Sequence, residues 1–251
     1  MISKYRFLLL YLTLPLLLQA EDFLFITNES QLKKFQHSNT IMVASTGRSG
    51  STLLTEAVVK AKKKSTILKT HILPPNNKYK GKIIFIFSNP DKAVESILHL
   101  TIDNDLLGKY HFSHVKTSDQ NWLLKIGSTS KQTIEDNLLA YDALGYYQHL
   151  VEWLQKTTPS TQSKAQIMAI KYENLWDDET ILALKKFLKV KFFSLPPKQE
   201  RGYSLNQLNP KEITFKEIYN LGTYESPIYR AYDNARNIWN EAQAIQYLNL
   251  N

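Results

Sequence analysis

Short apolar runs along the chain predict the strands of a buried sheet. Residues 41–44, 82–87 and 167–170 are apolar over almost their whole length, and residues 66–69 form a shorter candidate. Strands that are covered on both faces have continuous apolar runs, whereas half-exposed strands alternate with polar residues. The pattern therefore predicts central strands of a sheet that is covered on both sides.

Apolar residues at helical spacing separate these runs. Helices are predicted over residues 52–62, from Pro90 onward, over 133–156, over 177–190 with Asp177 or Asp178 as the cap, and over 229–248. Strands that alternate with helices favour an α/β fold, a parallel β-sheet flanked by helices on both faces, in a P-loop-like three-layer domain. Ligands of such sheets bind beyond the carboxyl ends of the strands.

The first twenty residues have the pattern of a secretory signal. Lys4 and Arg6 precede the apolar run 7–18, and Ala20 stands before an acidic pair. The run is shorter than the roughly 17–25 residues of a membrane span, which favours a signal cleaved near Ala20. Leu18 is not the small residue that a cleavage site prefers, so a membrane anchor stays open. We expect export, possible membrane association through residues 1–20, and a single domain over 21–251.

Composition and charge restrict the kinds of ligand and site that this chain can have. The formal charge of +8 suits an anionic ligand, and no arginine-rich run or RNA-binding signature indicates nucleic acid. The chain has no cysteine, which excludes disulfides and zinc–thiolate sites. Clustered lysines end the predicted helix 52–62, and a solvated helix C-terminus explains them more simply than a docking patch does. These are Lys60, Lys62, Lys63 and Lys64.

The segment that joins the first long strand to its helix has the features of an anion-binding loop. Gly47 and Gly50 let backbone N–H groups turn inward, and the helix start adds the positive end of a dipole. We assign to this site the residues Thr46, Gly47, Arg48, Ser49, Gly50, Ser51 and Thr52. The loop lacks the lysine of a Walker motif, since Gly50 stands there, and strand 82–87 is not followed by an acidic metal ligand. A P-loop kinase is therefore the weakest alternative.

Three further motifs follow this loop in register. They are Lys69-Thr70-His71, the stretch 83–96 with Ser88-Asn89-Pro90 and Ser96, and the stretch 170–175 with Tyr172. In this order the motifs resemble the sulfotransferases that use 3′-phosphoadenosine 5′-phosphosulfate (PAPS), over roughly residues 40–190. The resemblance implies transfer of a sulfuryl group from PAPS to a hydroxyl or amine of a small molecule or carbohydrate.

The resemblance also implies roles for individual residues. Arg48 and the loop residues that follow it would hold the 5′-phosphosulfate, Lys69 would bind the sulfuryl group and His71 would act as general base. Ser96 would contact the 3′-phosphate, Tyr172 would lie near the adenine, and Asn89 would belong to the donor site. Such transfer needs no metal, because Arg48, Lys69 and the loop amides can stabilise the charge that develops on the transferred group. The predicted catalytic residues are therefore His71, Lys69 and Arg48.

Ser88 departs from the family pattern. The family has an arginine here that pairs with the 3′-phosphate, and losing one charged hydrogen bond costs about 1.5–3 kcal/mol, or roughly ten- to a hundred-fold in affinity. Lys92, one turn further on, is a candidate replacement. The alternative function is therefore an inactive relative that binds a nucleotide, a sulfated ligand or a protein. Acceptor selection is expected from residues 103–130 and 196–225, which carry no recognisable signature.

Overall fold

A computed structural model of the chain describes residues 23–94, 96, 142, 145–198 and 230–251. The expected signal segment 1–20 and the irregular segment 103–130 lie outside the described residues, as does most of 196–225. Within the described ranges, no helix has the length and apolar character that crossing a membrane requires. Export and the division into a signal and one domain stay predictions.

One sheet of seven strands organises the described residues. The strands are β1 (Leu24–Ile26), β2 (Thr40–Ser45), β3 (Thr66–Thr70), β4 (Lys82–Phe87), β5 (Thr158–Pro159), β6 (Ile167–Lys171) and β7 (Ile245–Asn249). Their spatial order is β1-β3-β2-β4-β6-β7-β5. The neighbours from β1 to β6 pair in parallel, whereas β7 runs antiparallel to β6 and to β5.

Helices connect and cover these strands. They are α1 (Glu29–Leu32), α2 (Ser51–Ala61), α3 (Tyr146–Leu150), α4 (Asp178–Leu188) and α5 (Asp233–Glu241). A 3-10 turn, Lys33–Phe35, follows α1, a π-helical turn, Val151–Gln155, follows α3, and a 3-10 turn, Tyr172–Asn174, follows β6. Residues 90–94 are helical as well, as the proline after β4 predicts.

Two apolar clusters occupy the two faces of the sheet. Alternate side chains of each strand point to opposite faces, so Met42, Phe85 and Ala169 join one cluster and Val43, Ile86 and Ile170 join the other. The first cluster packs against α3 and α5, and the second packs against α2 and α4. The predicted α/β class, with a largely parallel sheet between two helical layers, is confirmed.

Gly145 makes the predicted helix over 133–156 wrong as a single element. Its φ of 64° is left-handed, so α3 begins only at the next residue. The Asp142 carboxylate accepts the N–H groups of Tyr146 and Tyr147, at 2.9 and 2.7 Å, and thereby caps the new helix. Most of the predicted helix before Gly145 lies outside the described residues.

The predicted helix over 229–248 is also wrong in its last part. It ends at Glu241, after which Ala242 is extended and β7 begins. β7 pairs with β6, so that Ile245 lies opposite Ile170 and Leu248 opposite Ile167. The backbone groups along the outer edge of β6 form hydrogen bonds with β7, and a helix over these residues would leave them unpaired. No local pattern in residues 245–249 indicates that β6 is their partner. β1 and β5 likewise had no signal in the sequence.

Asp177 occupies the N-cap position of α4, as expected, but its side chain does not cap the helix. Its Oδ2 instead accepts a hydrogen bond from Nδ2 of Asn174 at 2.8 Å. The two acidic residues in the first turn, Asp178 and Glu179, still stabilise the helix through their interaction with the positive end of its dipole. The predicted start of the helix is therefore correct, although the predicted capping bond is not.

Trp153 provides a test of the first cluster. Its ring is fully buried and stacks on Phe85, with 4.8 Å between centroids and 10° between planes. We expect Trp153→Ala to lower the free energy of unfolding by roughly 3–5 kcal/mol, measured by urea denaturation. Phe192→Ala is the matched control, because that ring is 85% exposed and should change stability by less than about 0.5 kcal/mol. Equal effects of the two changes would contradict this packing.

Candidate functional site

A cavity of about 330 Å³ lies at the carboxyl ends of the parallel strands. It combines the loop after β2, the end of β3 and the turn after β6, because parallel strands deliver their carboxyl ends to one edge of the sheet. Its walls are Arg48, Gly50, Ser51, Thr52, Leu53, Glu56, Lys69, His71, Tyr172, Trp176 and Pro196. Five of these were predicted as donor-binding residues, namely Arg48, Gly50, Ser51, Thr52 and Tyr172, and the three predicted catalytic residues, Arg48, Lys69 and His71, are all among the walls.

The loop between β2 and α2 turns sharply through left-handed backbone. Gly47, Arg48 and Gly50 have φ values of 90°, 50° and 73°. Arg48 adopts this conformation without being glycine, which costs about 1–2 kcal/mol. Positive-φ residues in such a loop turn successive N–H groups toward one side, where an anion can bind.

Two hydrogen bonds hold the loop from behind. The Ser49 hydroxyl donates to the carbonyl of Ile86 on β4 at 3.1 Å, and the Tyr146 hydroxyl donates to the carbonyl of Gly47 at 2.9 Å. Burial raises the pKa of Tyr146, so its phenol stays protonated and remains a donor. The Ser49 side chain therefore serves the loop's conformation, and its hydroxyl is not directed to the cavity.

Gly50 stands at the N-cap of α2, where it provides no side chain to cap the helix. The first N–H groups of α2 can therefore bind an anion, as at other helix N-termini. Tyr172 packs directly against Gly50, since a Cβ atom built there would lie 2.4 Å from Cε2 of the ring. The glycine thus provides both the left-handed turn and the space for the tyrosine.

Lys69 brings a positive charge to the same loop. Its Nζ donates to Oγ1 of Thr52 at 2.6 Å. The ammonium group also lies 5.7 Å from the ring centroid of Phe23, which immediately precedes β1, and 5.6 Å from that of Phe25 on β1. Cation–π attraction and the hydroxyl contact hold the ammonium beside the start of α2.

His71 lies at the end of the same strand and is 6% exposed. Its Nδ1 is 2.9 Å from Oγ and 3.1 Å from the carbonyl oxygen of Ser45, the last residue of β2. The ring meets Phe25 edge to face at 5.7 Å. If Nδ1 carries the proton and donates to that carbonyl, then Nε2 carries the basic lone pair, which is the form that a general base requires.

Arg48 extends toward Ser96. Its Nε and Nη2 donate to Oγ of Ser96 at 3.0 and 2.8 Å. The structure thus brings together Arg48 and Ser96, two residues of the predicted donor site that stand far apart in sequence.

Ser88 is buried, and its Oγ has no hydrogen-bond partner in the described part of the chain.

Other predicted residues do not line the cavity. Asn89 starts the helix after β4, since its Oδ1 accepts the N–H groups of Asp91 and Lys92, at 2.9 and 3.3 Å. Its own N–H donates to Oε1 of Glu173 at 2.8 Å. Thr46, Gly47, Ser49 and Ser96 are also absent from the walls of the cavity.

The sequence interpretation missed several contributors. Trp176 meets Tyr172 edge to face, with 5.4 Å between ring centroids, and its indole N–H donates to the carbonyl of Pro196 at 2.9 Å. Glu56 adds an acidic group to the cavity wall. Trp176 stands four residues after Tyr172, which was the available signal, but a spacing of four also fits an ordinary helical core pair.

Within the part of the chain that the structure describes, no group of three or more His, Cys, Asp or Glu side chains is placed to hold a metal ion.

Comparison with known proteins finds similarity at the level of structure. No protein-family model matches this chain, and no curated protein matches it by sequence. The crystal structure of mouse sulfotransferase SULT7A1 complexed with PAP is similar, with 16% sequence identity, a TM-score of 0.45, and coverage of 89% of this chain and 94% of that one. A similarity of this degree does not establish family membership or activity for this chain.

The contact between Gly50 and Tyr172 can be tested by substitution. Gly50→Ala should destabilise the protein by more than the roughly 1–2 kcal/mol of left-handed strain, because the new Cβ also collides with the ring. Tyr172→Ala added to it should remove the collision and leave the strain. Urea unfolding of both single variants and the double variant measures the coupling, and additive effects would contradict the close contact.

Asp142 should make stability depend on pH. Burial raises the pKa of its carboxyl from an ordinary 3.8 to about 6. The native state therefore holds its proton more tightly than the unfolded state, so stability should fall by roughly 3 kcal/mol as pH rises from about 3.8 to 6. Asp142→Asn should abolish this decline in urea unfolding measured across that range, and an identical profile in the variant would contradict the raised pKa.

Proposed function

We propose that this protein transfers a sulfuryl group from PAPS to a hydroxyl or amine of a small molecule or carbohydrate. The observation that carries the proposal is the meeting of the anion-binding loop, Lys69 and His71 around one cavity. A loop that binds an anion, a cation beside it and a base at its rim are the groups that such a transfer requires. The order of motifs in the sequence and the α/β fold support the same function.

The geometry assigns a step to each group. The loop amides and the start of α2 would bind the phosphosulfate, and Lys69 would offset the charge on the transferred sulfuryl oxygens. Nε2 of His71 would take the proton of the acceptor hydroxyl while the new O–S bond forms. The bond between sulfur and the 5′-phosphate oxygen breaks, and its electron pair leaves with 3′-phosphoadenosine 5′-phosphate.

An aromatic pair is available for the base of the nucleotide. Tyr172 and Trp176 stand at one side of the cavity with ring planes 84° apart. Adenine stacks readily on such rings, at about 1–3 kcal/mol per stacked base in nucleic-acid complexes. We assign adenine binding to both residues, whereas the sequence resemblance implied Tyr172 alone.

Arg48 is a candidate to replace the arginine that the family has where this chain has Ser88. Its guanidinium donates two hydrogen bonds to Ser96, the residue that the resemblance assigns to the 3′-phosphate. We propose that Arg48 binds the 3′-phosphate and that Lys69 serves the sulfuryl group. Lys92, the replacement considered from sequence, is exposed at the start of the helix after β4.

Donor binding tests this assignment by calorimetry on the full-length chain. The ligands are 3′-phosphoadenosine 5′-phosphate and adenosine 5′-phosphate, which differ only in the 3′-phosphate. Arg48→Gln should weaken binding of the first about ten- to a hundred-fold and hardly change the second, because only the 3′-phosphate contact is lost. Lys92→Gln is the matched control and should change neither affinity.

The opposite pattern would contradict the assignment. Equal weakening of both ligands by Arg48→Gln would place the arginine at the 5′ end, as the sequence alone implied. Failure of both ligands to bind the wild-type protein at millimolar concentration would remove the proposed donor.

Transfer itself requires a second experiment, with labelled PAPS and a panel of hydroxyl and amine acceptors. His71→Ala should lower the transfer rate by about 10²–10⁴-fold and keep affinity for 3′-phosphoadenosine 5′-phosphate, because a general base acts in the chemical step.

Ser88 favours a second candidate function, an inactive nucleotide-binding relative. Its hydroxyl is buried and has no hydrogen-bond partner among the described residues, at the position where the family has its arginine. Donor binding without transfer to any acceptor would establish that candidate.

A further inference from the structure

A cluster of lysines occupies the sheet edge opposite the cavity. Helices α2 and α4 run back along the sheet and both end at the edge where β2 and β3 begin. We call the exposed basic surface there the lysine face, and it consists of Lys60, Lys62, Lys63, Lys64, Lys189 and Lys191, together with Phe192. The first five of these lysines line a single shallow depression of about 450 Å³.

The charge of the lysine face is unbalanced. The stretches 57–90 and 180–199, which contain every residue of this face, have no acidic residue. Among the described residues, no ion pair involves a lysine of this face. Burial lowers the pKa of nearby Lys82, and the charge of Lys189 lowers it further. The partial negative charge at the two helix C-termini is smaller than the positive charge of these lysines, so the helix dipoles do not account for all of them.

Phe192 distinguishes a membrane from other anionic partners. Its ring is 85% exposed, whereas the adjacent Phe193 is buried in the second cluster and anchors the segment. Lys189 and Lys191 flank the exposed ring in sequence. An apolar ring among lysines suits the boundary between headgroups and acyl chains, where the ring leaves water and the ammonium groups meet lipid phosphates.

We propose that the lysine face docks on an anionic lipid bilayer, with Phe192 inserted among the headgroups. The path of the chain fits this orientation, because β1 runs parallel to β3 and therefore enters the sheet from the side of the lysine face. The apolar run 7–18 ends five residues before Phe23, a distance of at most about 18 Å when extended. The cavity at the opposite edge would then face away from the bilayer.

Vesicle sedimentation with the full-length chain tests the proposal. Vesicles of phosphatidylcholine alone measure binding through apolar segments, and vesicles that also contain phosphatidylserine measure the additional binding caused by charge. Lys63→Gln/Lys64→Gln should lower that additional binding by about five-fold per lysine, and added salt should weaken it further. Phe192→Ser should lower the total binding to the vesicles that contain phosphatidylserine by about ten-fold or more, because the ring no longer inserts.

Lys92→Gln/Lys198→Gln is the matched control. It removes two exposed lysines near the cavity, one after β4 and one whose Nζ lies over the ring of Trp176. The control should bind phosphatidylserine vesicles as the wild type does, and equal weakening would show that only total charge matters and overturn the docking face. Equal binding of the wild type to both vesicle types would overturn it as well.

The role of Phe192 separates a bilayer from a soluble polyanion. If Phe192→Ser binds vesicles as the wild type does, while heparin displaces both proteins, the surface binds polyanions and the membrane proposal is wrong. Unfolding midpoints of the lysine variants and of Phe192→Ser should equal that of the wild type, since these side chains are exposed. None of these outcomes depends on sulfuryl transfer, so failure here leaves the proposed function unaffected.

Discussion

Parallel pairing of β2 with β3 on one side and β4 on the other is the constraint on which the candidate site depends. The pairing sets Ala44 beside Thr70 and Ser45 beside Ile86, so the ends of three strands are level. The loop after β2, Lys69 and His71 therefore lie together at one edge of the sheet. A shift of a single residue in either register would move the side chains of each cluster to the opposite face of the sheet, which the close packing of both clusters opposes.

The loop between β2 and α2 is held by contacts from the sheet, from α3 and from the turn after β6. Ser49 is bonded to β4, Tyr146 reaches Gly47 from α3, and Tyr172 presses on Gly50 from the turn after β6. This support offsets the strain of Arg48 in left-handed backbone. An anion-binding loop that is fixed before the ligand arrives loses little entropy on binding, and its dipoles are already oriented.

Opposite edges of the same sheet have different electrostatic roles. The strand ends and the start of α2 form the cavity at one edge, whereas the ends of α2 and α4 and the lysine-rich connection after α2 form a broad basic surface at the other. The alternation of strands and helices produces this polarity, because a helix that connects parallel strands begins near one edge of the sheet and ends near the other. Chemistry and docking can therefore occupy separate surfaces without competing for the same side chains.

Local patterns were sufficient for β2, β4, β6, α2 and the start of α4, because continuous apolar runs and helical spacing record burial directly. The sequence by itself also determined the turn before α2, since the positive-φ glycines Gly47 and Gly50 and the helix start are local features. Only the tertiary structure decided that Arg48 contacts Ser96, that Ser49 and Asn89 support the backbone, that Trp176 joins the cavity, and that residues 245–249 form a strand. Apart from the local cap that Asn89 makes, each of these depends on a partner distant in the chain, and single-chain periodicity contains no information about such partners.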